Sequence, residues 1–297
     1  MIKYLKRNEI DFEKYDYCIE NSFQSSVYAF SWYLDIVADN WDVLVLHDYK
    51  AVMPIPWKKK YGISYITQPY FCQQLGIFSL DEITMEIQRD FIGKIPKKYL
   101  KISLHFNSNS FLENSFSKKK NYVLCLNDIY ENLFKSFNKG RKHAVKSAQK
   151  NKLTLGKATI ESLMKIKEDF YRTDFSIVQS NKLKKLSKIA IKKKKGFLIG
   201  VFEENTLLGG AFFLETNKRI VYLFSAFNSQ GKSKQASSFL INEIIKKYQA
   251  SNVILDFEGS EIANIASFFK SFGAKNTNYY QLEYHNLPVF YRLFKKQ

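Results

Sequence analysis

Cysteine, arginine, histidine, proline and glycine are all scarce in this chain of 297 residues, and each scarcity excludes something. The three cysteines, Cys18, Cys72 and Cys125, sit in apolar settings without CxxC spacing. They supply neither a disulfide framework nor a zinc site and read as buried thiols. The four histidines are His47, His105, His143 and His285, and His143 has no second histidine or carboxylate at ligand spacing, so no metal is expected. With five prolines and 12 glycines there is no Pro/Gly/Ser-rich linker anywhere. Long apolar runs are missing too. Stretches such as Leu207 to Leu214 fall well short of the roughly 18 to 20 residues that cross a bilayer. The start MIKYLKRNEIDFEKYDY has acids where a signal peptide needs its apolar core, so a cytoplasmic protein with no membrane span is expected.

What is abundant is apolar side chain and lysine. Hydrophobic residues make up 45% and aromatics 16%, too much for a disordered polyampholyte, so the chain is expected to be globular, as two domains or one large one. Of 46 basic residues only six are arginine, which leaves 40 lysines, a skew that nucleotide composition produces as readily as function. The distribution of charge carries more than its total of +18. Residues 1–128 hold 16 basic and 15 acidic side chains, whereas 129–297 hold 30 and 13. The excess is densest in 129–196, in GRKHAVKSAQKNK and NKLKKLSKIAIKKKK, where either an anionic partner or plain solvated helix faces account for it.

Periodicity predicts alternating strands and helices. The first half reads as a strand at Ile2–Leu5, helices over DFEKYDYCIENSF and FSWYLDIVAD, and two strands in WDVLVLHDYKAVMPIPW joined at Asp48 to Lys50. The strand GISYITQPY, a helix LDEITMEIQRDFIGKI opened by Asp81, and the strands YLKISLHFN and NYVLCLN follow. The second half predicts one long helix from Asp128 to Asn151, helices TIESLMKIKEDFYRTDF and KLKKLSKIAIKK, and the hairpin GFLIGVFEENTLLGGAFFLETN. It closes with strand RIVYLFSAFN, helix QASSFLINEIIKKYQA, strand NVILDFEG, helix IANIASFFKSF and strand NYYQLEYHN. LHFNSN at 104–109 aligns with LDFEGS at 255–260, and NYVLCLN mirrors NYYQLEY, which points to an internal duplication. The expected organisation is mixed α/β in two tandem lobes, 1–127 and 128–297, joined by the long helix. Each is expected to be a mixed, mostly antiparallel sheet flanked by helices, with a cleft between them.

The blocks YLFSAFN and LDFEGSEIANIASFFKSFGAKNTNYYQL, with GRKHAVKSAQKNKLTL upstream, resemble the second lobe of the Fem-type peptidoglycan aminoacyltransferases. These are duplicated versions of the acyl-CoA N-acyltransferase (GNAT) fold. The resemblance implies transfer of an acyl group to an amine, from acyl-CoA or from aminoacyl-tRNA. Both donors are polyanions. In the coenzyme A branch a Q/R-x-x-G-x-G/A turn after the fourth strand cradles pyrophosphate on backbone N–H groups. Here that place reads NSQGKSKQA and offers Asn228, Gln230, Gly231, Lys232 and Ser233, with Tyr222 of YLFSAFN beside them, as donor contacts. The turn has one glycine and a serine in place of the second small residue. Lys142 and Lys146 stack like charges at i, i+4 next to Lys139 and Arg141, a spacing that suits a bound phosphate.

In LDFEGS, strand alternation puts Leu255 and Phe257 on one face and Asp256 and Glu258 on the other, near the strand end where open α/β sheets place ligands. Aminolysis needs a neutral amine. Glu258 is the expected base, with Asp256 as its partner or as an ammonium anchor. By the resemblance, Lys270 of FFKSFG lies near the reacting carbonyl, where it offsets developing negative charge. Phe268 and Phe269 stand where many relatives carry a tyrosine acid. No cysteine lies in either block, so direct attack without a covalent intermediate is expected. In the first lobe His105 takes the place of Asp256, and Gln68, Gln73 and Gln74 follow the third strand of that lobe. These four are candidate acceptor contacts, or simply a strand-end turn. The alternative to an enzyme is a non-catalytic binder of RNA or of an anionic surface through the lysine-rich helices of 129–196. Contact with a tRNA acceptor stem is common to both readings, and a monomer or homodimer suits either.

Overall fold

The computed structural model describes residues 1–111, 113, 116–171, 175–259 and 261–286. The strands are β1 (Ile2–Leu5), β2 (Asn40–Leu46), β3 (Ala51–Lys60), β4 (Ile63–Thr67), β5 (Phe78–Ser79), β6 (Tyr99–Phe106), β7 (Phe116–Cys125), β8 (Leu153–Gly156), β9 (Gly196–Glu203), β10 (Thr206–Glu215), β11 (Arg219–Phe227), β12 (Ile254–Asp256) and β13 (Lys275–His285). The helices are α1 (Phe12–Asn21), α2 (Ser31–Val37), α3 (Met85–Gly93), α4 (Tyr130–Lys135), α5 (Lys139–Lys150), α6 (Ile160–Phe170), α7 (Ile177–Lys192), α8 (Ser229–Ser233), α9 (Ala236–Tyr248) and α10 (Ala263–Lys270). Among the described residues no helix is long and apolar enough to cross a membrane.

The chain divides into two compact units, Met1–Lys119 with Asn278–Gln297, and Lys120–Thr277. These bounds differ from the expected 1–127 and 128–297. The passage from the first unit to the second lies inside β7, not in a helix, and β13 carries the chain back from the second unit to the first. Within the first unit the strand order is β1-β2-β3-β4-β6-β13, with β5 paired to β3. Within the second it is β7-β12-β11-β10-β9-β8. Within each unit the strands pair antiparallel except for one parallel pair, β4·β6 and β11·β12 respectively, and each parallel pair is bridged by a helix, α3 or α9. The repeat seen in the sequence is therefore a repeat of topology.

Local chemistry explains where elements begin. The long helix expected from Asp128 to Asn151 is two helices. Asn138 turns its side chain back to accept the Arg141 N–H at 2.8 Å, and this N-cap restarts the helix after Phe137 is buried. Thr84, not Asp81, caps α3, accepting from Ile87 N at 3.2 Å. Capping boxes, Thr159 with Ser162 and Ser176 with Gln179, open α6 and α7, so α7 starts five residues before the expected Lys182. α6 stops at Phe170, and the expected continuation across 172–174 lies outside the described residues. Cys18 and Cys72 are buried, but Cys125 is exposed. It follows buried Leu124 on β7, and alternation turns it outward.

The core of the second unit is aromatic. Phe257 stacks on Phe269 at 4.8 Å between ring centroids, and Phe272, Tyr222 and Phe213 continue the cluster. Each such fully buried ring stabilises the unit by roughly 1.5–3 kcal/mol relative to exposure. Together they fix α10 against β11 and against the segment that follows β12.

Candidate active site

The parallel pair of the second unit comes apart. β11 and β12 are in register only at Arg219↔Ile254, Ile220↔Leu255 and Val221↔Asp256, after which β12 ends while β11 runs on to Phe227. Beyond Asp256 the chain stays with β7, since Phe257 N donates to Tyr122 O at 3.0 Å and Tyr122 N to Glu258 O at 3.3 Å. From Tyr222 onward β11 therefore has no partner strand on that side among the described residues, and at its end the Phe227 N–H and C=O both bond the Tyr171 hydroxyl at 3.3 Å. The split is walled by Tyr222, Phe257 and Phe269, with centroid separations of 6.3 and 6.5 Å from the Tyr222 ring. Tyr222 is buried in this wall and its phenol is pushed up by burial, so it shapes the split from the core side.

Glu258 sits where the strand has ended, with φ of 56°. This left-handed conformation breaks the alternation expected to align Glu258 with Asp256. Asp256 is only 1% exposed. One oxygen pairs with the Arg219 guanidinium and the other accepts the Glu258 N–H at 2.9 Å. Asp256 thus fastens the Glu258 backbone, and its charge is taken by Arg219, a partner 37 positions away. Lys270, in the last turn of α10, is exposed and holds its ammonium 5.5 Å from the centroid of the Tyr122 ring. Glu258 and Lys270 both meet Tyr122, one through the backbone and one through the ring.

The strand-to-helix turn is built differently from a phosphate cradle. The Asn228 side chain accepts the Gly231 N–H at 2.7 Å, and Lys232 N, Lys234 N and Gln235 N donate to Asn228, Gln230 and Lys232 carbonyls. Gly231 is required for close packing, because a Cβ there would lie 2.5 Å from the Leu208 carbonyl oxygen. Gln230 donates to Glu203 at 2.8 Å, and the Ser233 hydroxyl donates to the Gln230 carbonyl at 2.9 Å. Most of the amides expected to hold a phosphate are therefore spent inside α8 and its cap. Gln235, left-handed at φ 60° and without a capping side chain, opens α9, whose first intrahelical donor is Phe239 N. The anion-favouring point moves from the Gly231 turn to the start of α9.

Arg141 and Ser233 line one cavity there, of about 340 Å³, together with Gly140, His143, Ser147 and Gln235. Arg141 donates from Nε to the Ser271 hydroxyl at 2.8 Å and from Nη1 to Ser238, and its guanidinium lies over Phe268 and Phe272 at 4.3 and 4.5 Å. Burial pulls its pKa down to about 10, so it stays cationic near neutrality. Lys142 instead donates to the Lys135 carbonyl at 2.8 Å, closing the end of α4, and Lys146 is exposed. Lys232 lies over the Tyr171 ring at 4.0 Å, and Lys167, which sequence reading passed over, lies over the same ring at 4.1 Å. Burial, with the Lys232 charge added, lowers the Lys167 pKa. Gln235, Arg219 and Lys167 carry no local motif; only the fold assembles them.

The first unit treats its own parallel pair in the opposite way. After Thr67↔Ser103 the loop from Gln68 onward folds back over β6, with Gln68 N donating to Ser103 O and Leu75 N to His105 O. Gln68 accepts the His105 N–H at 3.0 Å and donates to the Cys72 carbonyl at 2.8 Å. His105 Nδ1 donates to the Gln73 carbonyl at 2.9 Å, and Gln74 donates to the Gln73 side chain at 2.7 Å. The structure does bring these four together, but as the fastening of a loop that fills the gap. Burial lowers the His105 pKa. Among the described residues no three histidine, cysteine or carboxylate side chains converge as metal ligands.

No protein-family model and no curated protein sequence matches the chain. Solved structures do match in fold. FemX is 12% identical, with a TM-score of 0.67 over 99% of this chain and 100% of its own. L-PGS from Bacillus licheniformis is 11% identical, with a TM-score of 0.52 over 95% of this chain and 94% of its own. A tandem GNAT protein from the clavulanic acid biosynthesis pathway is 6% identical, with a TM-score of 0.52 over 97% of this chain and 100% of its own. The chain has the duplicated, Fem-like GNAT fold that these proteins share.

Proposed function

We propose that the chain is a cytoplasmic acyltransferase that moves an acyl or aminoacyl group from a polyanionic donor, acyl-CoA or aminoacyl-tRNA, to a primary amine. An amine of a cell-envelope or aminosugar precursor is the acceptor class this reading favours. The observation that carries it is the open split between β11 and β12 with Glu258 fixed at its end. The fold shared with FemX and a tandem GNAT protein supports the same reaction class. In this reading the donor phosphates lie against Arg141, Ser233 and Gln235, with Lys167 and Lys232 supplying further positive charge, and the acyl arm follows the edge of β11 between Tyr222 and the Tyr171 hydroxyl at Phe227.

The amine nitrogen attacks the donor carbonyl, forming the C–N bond and a tetrahedral adduct. Glu258 takes the proton that the nitrogen sheds, Lys270 offsets the negative charge on oxygen, and the C–S or C–O bond breaks as the thiolate or ribose oxygen leaves and is protonated. No covalent enzyme intermediate is needed. Gln68, Gln73, Gln74 and His105 bond to each other and to their own loop, so the acceptor is not assigned to them.

The test pairs titration calorimetry of coenzyme A and acetyl-CoA with mass-spectrometric detection of transfer from acetyl-CoA and from mixed aminoacyl-tRNA to a panel of primary amines. Transfer by the wild type and its loss in folded Glu258→Gln is the expected result. Absence of transfer from both donor classes by well-folded protein would overturn the reading.

A further inference from the structure

α7 shows two faces of unlike chemistry. Leu183, Leu186, Ser187 and Ala190 are buried against β9 and α6. On the other side Ile177, Asn181, Lys184, Lys185, Lys188, Ile191 and Lys192 are exposed, within an arc of about 120° at 100° per residue. Lys184, Lys185 and Lys188 thus lie between Ile177 and Ile191, and Lys192 follows Ile191 as the last residue of the helix. Ile177 is 80% exposed, adjacent Val178 60% and Ile191 44%. No acidic residue occurs from 176 to 202, and Lys193 and Lys194 extend the charge past the helix end. Among the described residues none of the four lysines has an ion-pair partner. The exposed surface of this helix is lysine, β-branched aliphatics and Asn181.

We propose that α7 lies along an anionic lipid surface, with Lys184, Lys185, Lys188 and Lys192 towards the headgroup phosphates and Ile177, Val178 and Ile191 in the interface. Lysine stems suit this arrangement because they cover apolar surface while the ammonium reaches the phosphate. A nucleic acid fits the same charge less well. Ile177 and Val178 gain nothing from a phosphodiester backbone, and 176–196 contains no aromatic residue to stack on a base. The inference does not rest on the transfer reaction, since α7 contributes nothing to the site placed above.

The experiment is cosedimentation of the full chain with phosphatidylcholine vesicles, with and without one third phosphatidylglycerol, at low and moderate salt. Binding is expected only with the anionic lipid, weaker at higher salt. Each lysine reversed in Lys184→Glu, Lys185→Glu and Lys188→Glu should cost at least about fivefold. Ile177→Ser with Val178→Ser should weaken binding about tenfold while leaving its salt dependence unchanged, a change that a purely electrostatic contact would not show. Both variants sit on exposed positions and should keep the wild-type Tm and the wild-type transfer to a soluble amine. The proposal is overturned by absence of binding to anionic vesicles or by wild-type affinity in the isoleucine–valine variant. A gel shift with total tRNA that the lysine variant abolishes, in a protein that ignores vesicles, would assign the face to RNA instead.

Discussion

Glu258 holds a conformation that every side chain with a Cβ resists, and this makes the site's cost measurable separately from its chemistry. At φ 56° the Cβ crowds the following carbonyl, a penalty of about 1–2 kcal/mol that glycine escapes. Glu258→Ala and Glu258→Gly both remove the carboxylate and whatever it touches. They differ only in the Cβ, so their difference isolates the backbone. Glu258→Gly should be more stable than Glu258→Ala by about 1 kcal/mol, which for a unit of this size is about 2–4 °C in Tm. Neither should transfer an acyl group. Glu258→Gln keeps the Cβ and most of the shape, so its loss of turnover reports on the carboxylate alone. The assay is thermal unfolding followed by circular dichroism, alongside transfer rates for all three variants. Equal Tm values for the glycine and alanine variants would refute the claim that strain is held at this position. Turnover by Glu258→Gln near the wild-type rate would refute the assignment of the base.

Further outcomes follow from contacts already described. Arg219→Met strands the buried Asp256 carboxylate and should lower stability in urea by about 3 kcal/mol, most of it recovered when Asp256→Asn is added. His105 has a folded pKa below its ordinary value because of burial. Its contribution is therefore fully present above the unfolded pKa and lost as pH falls through the folded one. The wild-type Tm should drop on acidification below about 6.5, and His105→Gln should flatten that drop. In native protein a thiol reagent at pH 7.5 should label Cys125 first. Cys18, buried and with its pKa pushed up to about 12, should stay unlabelled until the chain unfolds, as peptide mapping will show.

Much of this architecture was legible in the sequence because it is written in short periods. The hairpin of β9 and β10, the alternation in YLKISLHF and the apolar stripe of IANIASFF each name their element without help from elsewhere. The matched blocks at 104–109 and 255–260 also mark true equivalents, the strands β6 and β12 that close the two parallel pairs. What escaped was decided by partners distant in the chain. Asp256 looked like half of a catalytic pair because Arg219, which neutralises it, stands on another strand. The NSQGKSKQA turn looked like a phosphate cradle because only the fold shows the Asn228 side chain accepting the Gly231 amide. β13 groups with the second lobe by its neighbours in sequence, yet its register is with β6, set by pairing across some 178 residues. Asn138 is the exception. A helix-stopping residue was in plain view inside an otherwise helical pattern, and helical periodicity on both sides concealed it.

β1 ends the strand order of the first unit and β8 that of the second, and both are only four residues long. Lys3 and Lys6 guard one, and Lys152 and Lys157 flank the other. A row of free backbone amides and carbonyls is a template on which a second chain can grow, and short, lysine-flanked rows deny it that template. Lysines that look like idle surplus in a composition count thereby keep a strand-rich chain from polymerising through its borders. Lengthening β8 with β-branched residues in place of Lys152 and Lys157 would turn the same fold into a nucleus for fibres.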